Sequence, residues 1–249
     1  MRIAICHLTR MQPGYMCVAG LEVGTQKQVR PVIPGTRLQA HLSAAHGGPF
    51  DIGVIVDLGR TWPNGKAPEI EDHAFIPALA KRVGEMAPDE FWQCLGRSAR
   101  PLLRDWFGPD LQHVGPGCAV DEGKGLASLG CLRLERSPDL RISERGQVRM
   151  LLADGDRECS CSVTDLRLYE GANYTPRLSA VADIQARIRR GVPVIVTVGL
   201  TRPYSKDGGP ARHWLQVNNI HLEDQPVWRL SGEFAGCGEW SAVSSRPRL

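Results

Sequence analysis

Apolar residues along this chain come in short runs rich in Val, Ile, Leu and Cys, bounded by Gly, Pro, Asp or Asn. That punctuation is the mark of β-strands. The pattern predicts strands over 2–7, 15–22, 28–33 and 52–58, and again over 127–135, 139–143, 147–152, 158–164, 192–201 and 214–222. Helical periodicity is scarcer. Pro88 suits a first helical turn, and Phe91, Cys94 and Leu95 follow at helical spacing until Pro101 interrupts. Leu102, Leu103 and Trp106 continue a short second piece, closed by Gly108. A further helix is expected over 179–190, with Leu178, Val181, Ile184 and Ile188 on one side. Arg187, Arg189 and Arg190 favour its C-terminal dipole and Gly191 ends it. Many short strands with few helices predict a mainly β protein of the small-barrel class with helical insertions.

Self-comparison sharpens this. Displaced by 140 positions, "VIVDLGRTWPNGK" (54–66) falls on "VIVTVGLTRPYSK" (194–206) without a gap, and seven of thirteen positions coincide. Three of the matches, Gly59/Gly199, Pro63/Pro203 and Lys66/Lys206, read as loop residues in register with a strand. "QVR" also recurs at 28–30 and 147–149. An internal duplication is therefore expected. "GPG" at 115–117 reads as the linker. The expected divisions are 1–116, 117–235 and a tail, 236–249.

Each copy carries Thr-x-Pro-x-x-Lys with an aromatic side chain beside the proline, Trp62 in the first and Tyr204 in the second. Small barrels bind single-stranded nucleic acid by stacking bases on aromatics while cations track the backbone. The candidate contacts are Arg60, Trp62 and Lys66, then Arg202, Tyr204, Lys206, Arg212 and His213. Equally open is the reading in which Trp62 and Tyr204 merely cap their barrels. Asn218 and Asn219 interrupt an alternating strand, as a bulge or a strand end would, although Asn also reads base edges.

Composition narrows the classes. Apolar residues make up 42% and charged residues 23%, ordinary for a globular chain. The first 125 residues hold 13 Lys+Arg against 13 Asp+Glu and the rest 17 against 14, so the net +3 lies in the second part. Only five of the 30 basic residues are lysines. Arginine suits phosphate contact and stacking, and it also follows base composition of the genome. With no signal-peptide pattern and no long apolar stretch, a cytoplasmic location without membrane contact is expected.

The eight cysteines include no C-x-x-C pair, and the nearest two, Cys159 and Cys161, share a strand face. Buried thiols without metal or disulfide are expected. Glu69, Glu71, Asp72 and His73 could form a corner of a metal-dependent hydrolase, or a solvated acidic turn. Cys6 and His7 adjoin but should face opposite ways, which argues against a nucleophile–base pair. No cofactor is expected.

"VGLTRPY" (198–204) followed by "HWLQVNNI" (213–220), "CVAG" (17–20) before "QVRPV" (28–32), and "APEIEDHAF" (67–75) resemble the bacterial dual OB-containing domain family over roughly 1–222. The resemblance implies two tandem OB-like five-stranded barrels and nucleic-acid binding in defence or mobile-element settings. It carries over no catalytic residues. The expectation is thus a non-catalytic module for single-stranded DNA or RNA. The alternatives are an adaptor holding an effector protein and, third, the hydrolase.

Overall fold

The computed structural model describes residues 1–171, 173–206 and 208–230. The expected tail, the residues 231–235 before it and Cys237 lie outside the described residues. The protein is mainly β. The first sheet comprises β1 (Arg2–Arg10), β2 (Met16–Glu22), β3 (Gln28–Val32), β4 (Val54–Asp57), β5 (Trp62–Pro63), β6 (Asp72–Ala74) and β7 (Lys81–Glu85). Helices α1 (Pro88–Ser98) and α2 (Arg104–Phe107) follow. The second sheet contains β8 (Gln112–Val114), β9 (Gly117–Asp121), β10 (Leu129–Arg133), β11 (Asp139–Ile142), β12 (Val148–Asp154) and β13 (Arg157–Val163). A small pair, β14 (Tyr169–Glu170) and β15 (Thr175–Pro176), precedes α3 (Leu178–Arg189). The second sheet is completed by β16 (Val194–Leu200), β17 (Tyr204–Ser205) and β18 (Ala211–Leu222). Every strand expected from the apolar pattern is present within three residues of its ends. The unexpected strands β5, β6, β8, β14, β15 and β17 are too short for alternation to register, β7 is mostly exposed, and β9 follows the Gly-Pro-Gly stretch read as a linker.

Both sheets curl, and chain connectivity requires it. The first has the order β5-β6-β3-β2-β1-β4-β7, antiparallel except for β3 and β6. Strands β5 and β4 stand five places apart in that order, about 24 Å in a flat sheet. Only residues 58–61 separate them in sequence, a reach of at most about 17 Å. The second runs β10-β16-β18-β13-β12-β11, with β13 parallel to β18. Its terminal strands β10 and β11 are joined by residues 134–138, again shorter than a flat sheet of this width.

The two matching windows occupy strands β4–β5 and β16–β17, yet the shared glycines do different work. Gly59 takes φ +69° in a turn, whereas Gly199 lies inside β16, where a Cβ would meet the Asn218 side chain at 2.5 Å. The expectation that both are loop residues is corrected on that ground. Gly115–Gly117 is also no linker. It is the turn of the β8–β9 hairpin, and β9 pairs with β18.

Each sheet encloses its own apolar cluster, and the helices stitch the two together. Phe91, Cys94 and Leu95 of α1 pack with Ile3, Leu8 and Val54, whereas Leu103 and Phe107 belong with Val120 and Met150. The sheets also meet directly where two bulges face each other. Strand β1 is irregular between Ile5 and His7, and β18 carries Asn218 as an extra residue opposite β16. Asn219 accepts from Leu8 N–H at 2.7 Å and donates to Leu8 O, while Asn218 donates to His7 Nδ1 at 2.9 Å. Backbone groups left outside a ladder need partners; Asn219 supplies them for Leu8, while Asn218 holds the His7 ring, in one buried seam.

Candidate nucleic-acid interface

The loops that follow β4 and β16 were expected to resemble one another. Tertiary structure brings them together. Arg202, which leads into β17, donates Nη2 to Asp72 Oδ2 at 2.5 Å and places Nη1 3.1 Å from Glu69 Oε1. On its far side Asp72 accepts from Arg30 Nε at 2.5 Å. Asn64 N–H, just past Trp62 and Pro63, donates to Asp72 O. Asp72 therefore stands between the two loops and holds both. Glu71 clamps the same segment from another side, accepting from Ser128 N–H, Ser128 Oγ and Leu129 N–H at 3.0, 2.8 and 3.2 Å.

These contacts correct both readings of the acidic segment. Glu71 and Asp72 are buried, so the segment is no solvated turn. Their oxygens are occupied by arginines and backbone donors, which is no arrangement for a hydrolytic metal. No group of three or more His, Cys, Asp or Glu side chains that could hold a metal ion occurs among the described residues. Burial pushes the Glu71 carboxyl above its ordinary range against the pull of Ser128.

Aromatic side chains line the loops. Trp62 is 41% and Tyr204 48% exposed, so neither is a buried barrel cap. Tyr204 has a neighbour that sequence reasoning did not select, Trp214, whose ring centroid lies 6.3 Å away. Trp214 Nε1 donates to Tyr204 O, and Lys206 Nζ sits 5.1 Å over the indole. The signal for Trp214 was its place opposite this loop in a hairpin. It is read only once the β17–β18 pairing of Tyr204 with Arg212 is known.

The nominated cations divide. Arg60, Lys66 and Lys206 are exposed and form no ion pair among the described residues, and exposed Lys124 lies on the adjoining 121–126 loop. That loop abuts the first sheet, since a Cβ on Gly125 would lie 3.4 Å from Pro68. Arg202 is committed to Asp72 and Glu69, and Arg212 to Asp121 at 2.8 Å. His213 differs from the expected exposed contact: it is 2% exposed, donates Nδ1 to Thr201 O at 2.9 Å and faces Glu69.

Beneath this face runs a buried polar row. Among the described residues His7 Nε2, both ends of the Gln28 amide and Arg30 Nη2 find no partner in hydrogen-bond geometry, although the Gln28 side chain lies close enough to pull the His7 pKa slightly upward. Burial, reinforced by the charge of His221, pushes the His7 pKa down to about 3. Because Asn218 donates to Nδ1, the proton of neutral His7 resides on Nε2. Cys6 turns away into the first core, where burial raises its thiol pKa well above the ordinary value. The cysteines at 159 and 161 share a buried face as expected, with Sγ atoms 3.5 Å apart. No helix among the described residues is long and apolar enough to cross a membrane. No protein-family model and no curated protein matches this chain.

Proposed function

We propose that the face bearing Trp62, Tyr204 and Trp214 binds single-stranded DNA or RNA without catalysis, and that each curled sheet is an OB-like barrel. Strand order supports the second half of that reading. In the first sheet β1, β2 and β3 form a meander, β3 runs parallel to β6, and β4–β5 act as one bent strand joining β6 back to β1. In the second, β10–β11 act as the bent strand, followed by β12, β13, α3, β16 and β18, with β13 parallel to β18. Both follow the path of a five-stranded Greek-key barrel, and both fit the resemblance to the dual OB-containing family. In such barrels the loop between the fourth and fifth strands contacts oligonucleotides. Here those loops are 64–71 and 201–210.

One observation carries the proposal. The Arg202–Asp72–Glu69 clasp joins these two loops, so the exposed aromatics of both sheets, with Lys66 and Lys206, which form no ion pair among the described residues, adjoin one seam. Each stacked base contributes about 1–3 kcal/mol. Phosphates meet Arg60, Lys66, Lys124 and Lys206.

The test is fluorescence anisotropy with labelled oligo(dT) and oligo(U) at low and moderate salt, comparing the protein with a Trp62→Ala/Tyr204→Ala variant of equal stability. Loss of two stacked bases weakens binding by about 30-fold or more, from about 2 kcal/mol at the least. With four phosphate contacts, log K falls with log salt at a slope of about −3. Absence of binding, or equal binding by the variant, refutes the reading.

A further inference from the structure

Helix α3 departs from its expected packing in one place. Val181, Ile184 and Ile188 are buried as the apolar stripe requires, but Leu178, on the same stripe, is 68% exposed. It lines an open groove of about 330 Å³ between α3 and β11, together with Leu140, Ile142, Val181 and Ala182. Strand β11 is the terminal strand of its sheet and is hydrogen-bonded to β12 alone. Its free edge faces the helix, where the Gln185 side chain accepts from Leu140 N–H at 2.6 Å and keeps the two elements apart at fixed spacing.

Charge distinguishes what would lie there. Arg141 and Arg189 rim the groove, both are exposed, and neither forms an ion pair among the described residues. No acidic side chain lines it. The neighbouring Arg187, by contrast, is already held by Asp183 and Asp224. An apolar floor with a cationic rim fits aliphatic anchors flanked by carboxylates. At the low end of the ligand-pocket range of about 300–1,000 Å³ and open along its length, the groove suits side chains of a passing segment better than an enclosed small molecule.

We infer that the α3–β11 groove docks a short acidic, aliphatic segment of another protein, anchored on Leu178 and Ile142 and held by Arg141 and Arg189. This surface is made of other residues than the aromatic loops. The protein would then link a strand-binding face to an acidic effector or recruiter.

The test is selection from a random 12-residue peptide display library on the full chain, followed by anisotropy with the enriched peptides, fluorescently labelled. Leu178→Glu and Arg141→Glu/Arg189→Glu change exposed residues only, and unchanged melting confirms that both variants fold. Enriched peptides combine Leu, Ile or Val with Asp or Glu, and each variant weakens them by about tenfold, as reversal of rim charge or loss of an anchor should. Equal binding by the variants, enrichment of peptides lacking acidic residues, or no enrichment overturns the inference. So does a dimer of the wild-type chain in light scattering that Leu178→Glu dissociates, which would assign the groove to a second copy. Oligonucleotide binding by both variants stays at the wild-type level whichever way the selection falls.

Discussion

Replacing Asp72 by alanine tests the clasp on which the joined loops depend. The Asp72 side chain is 4% exposed, and its two oxygens neutralise Arg30, 7% exposed, and Arg202, 53% exposed. The two arginines respond differently. Arg202 can turn to water, and an ion pair half in solvent is worth about 0–1 kcal/mol. Arg30 cannot leave. Its Nη2 already lacks a partner, and removing Asp72 strands a buried guanidinium, which costs about 3–5 kcal/mol. For a chain of this size each kcal/mol lowers Tm by about 2–4 °C, so Asp72→Ala melts roughly 6–20 °C below wild type. Arg202→Ala moves Tm by no more than about 4 °C. In urea denaturation the Arg30→Ala/Asp72→Ala double variant recovers part of the loss, with a coupling of about 1–3 kcal/mol. The outcome that sinks the argument is an Asp72→Ala protein within about 1 kcal/mol of wild type, or Arg202→Ala costing as much as Asp72→Ala.

Two further outcomes follow from burial. His7 and His221 are held neutral to about pH 3, each chiefly by desolvation; protonating both would set two like charges side by side, and Arg167 further opposes a charge on His221. Below about pH 6.5 the unfolded chain takes up protons that the folded one refuses, so stability is complete above that value and falls with acidification, by about 2 kcal/mol per imidazole at pH 5. The Asp51 and Glu71 carboxyls, raised by burial, act in the opposite sense. The histidine contribution is therefore read by difference: between pH 6.5 and 5, His7→Asn should lose about 1.7 kcal/mol less than wild type in urea titrations, and equal slopes would refute it. Among the cysteines of the described residues, six are buried and Cys17 is half-buried. Under native conditions iodoacetamide should modify Cys17 first and the other six only on unfolding, as peptide mapping would reveal. Early labelling of Cys159 or Cys161 would contradict the packing of the second core.

The sequence alone carried the secondary structure wherever local physics sets it. Alternating or continuous apolar runs marked the long strands, Pro88 marked the start of α1, and Gly191, at φ +87°, the end of α3. The matching windows marked both segments that bear Trp62 and Tyr204, and they also marked the strands that precede them. What each charged side chain does there was decided by tertiary structure. Arg202 looked like a free cation and is spent on Asp72, 130 positions away. His213 looked like a strand-end contact and is buried against Thr201 and Glu69, and Trp214 came beside Tyr204 through β17–β18 pairing. Leu178 fitted a buried stripe by periodicity and was left exposed beside a terminal strand. The reason is common to all four. Periodicity reports which way a side chain points relative to its neighbours in sequence. What waits there depends on strand order and on the curl that closes each sheet, and these are set by contacts between residues far apart in the chain.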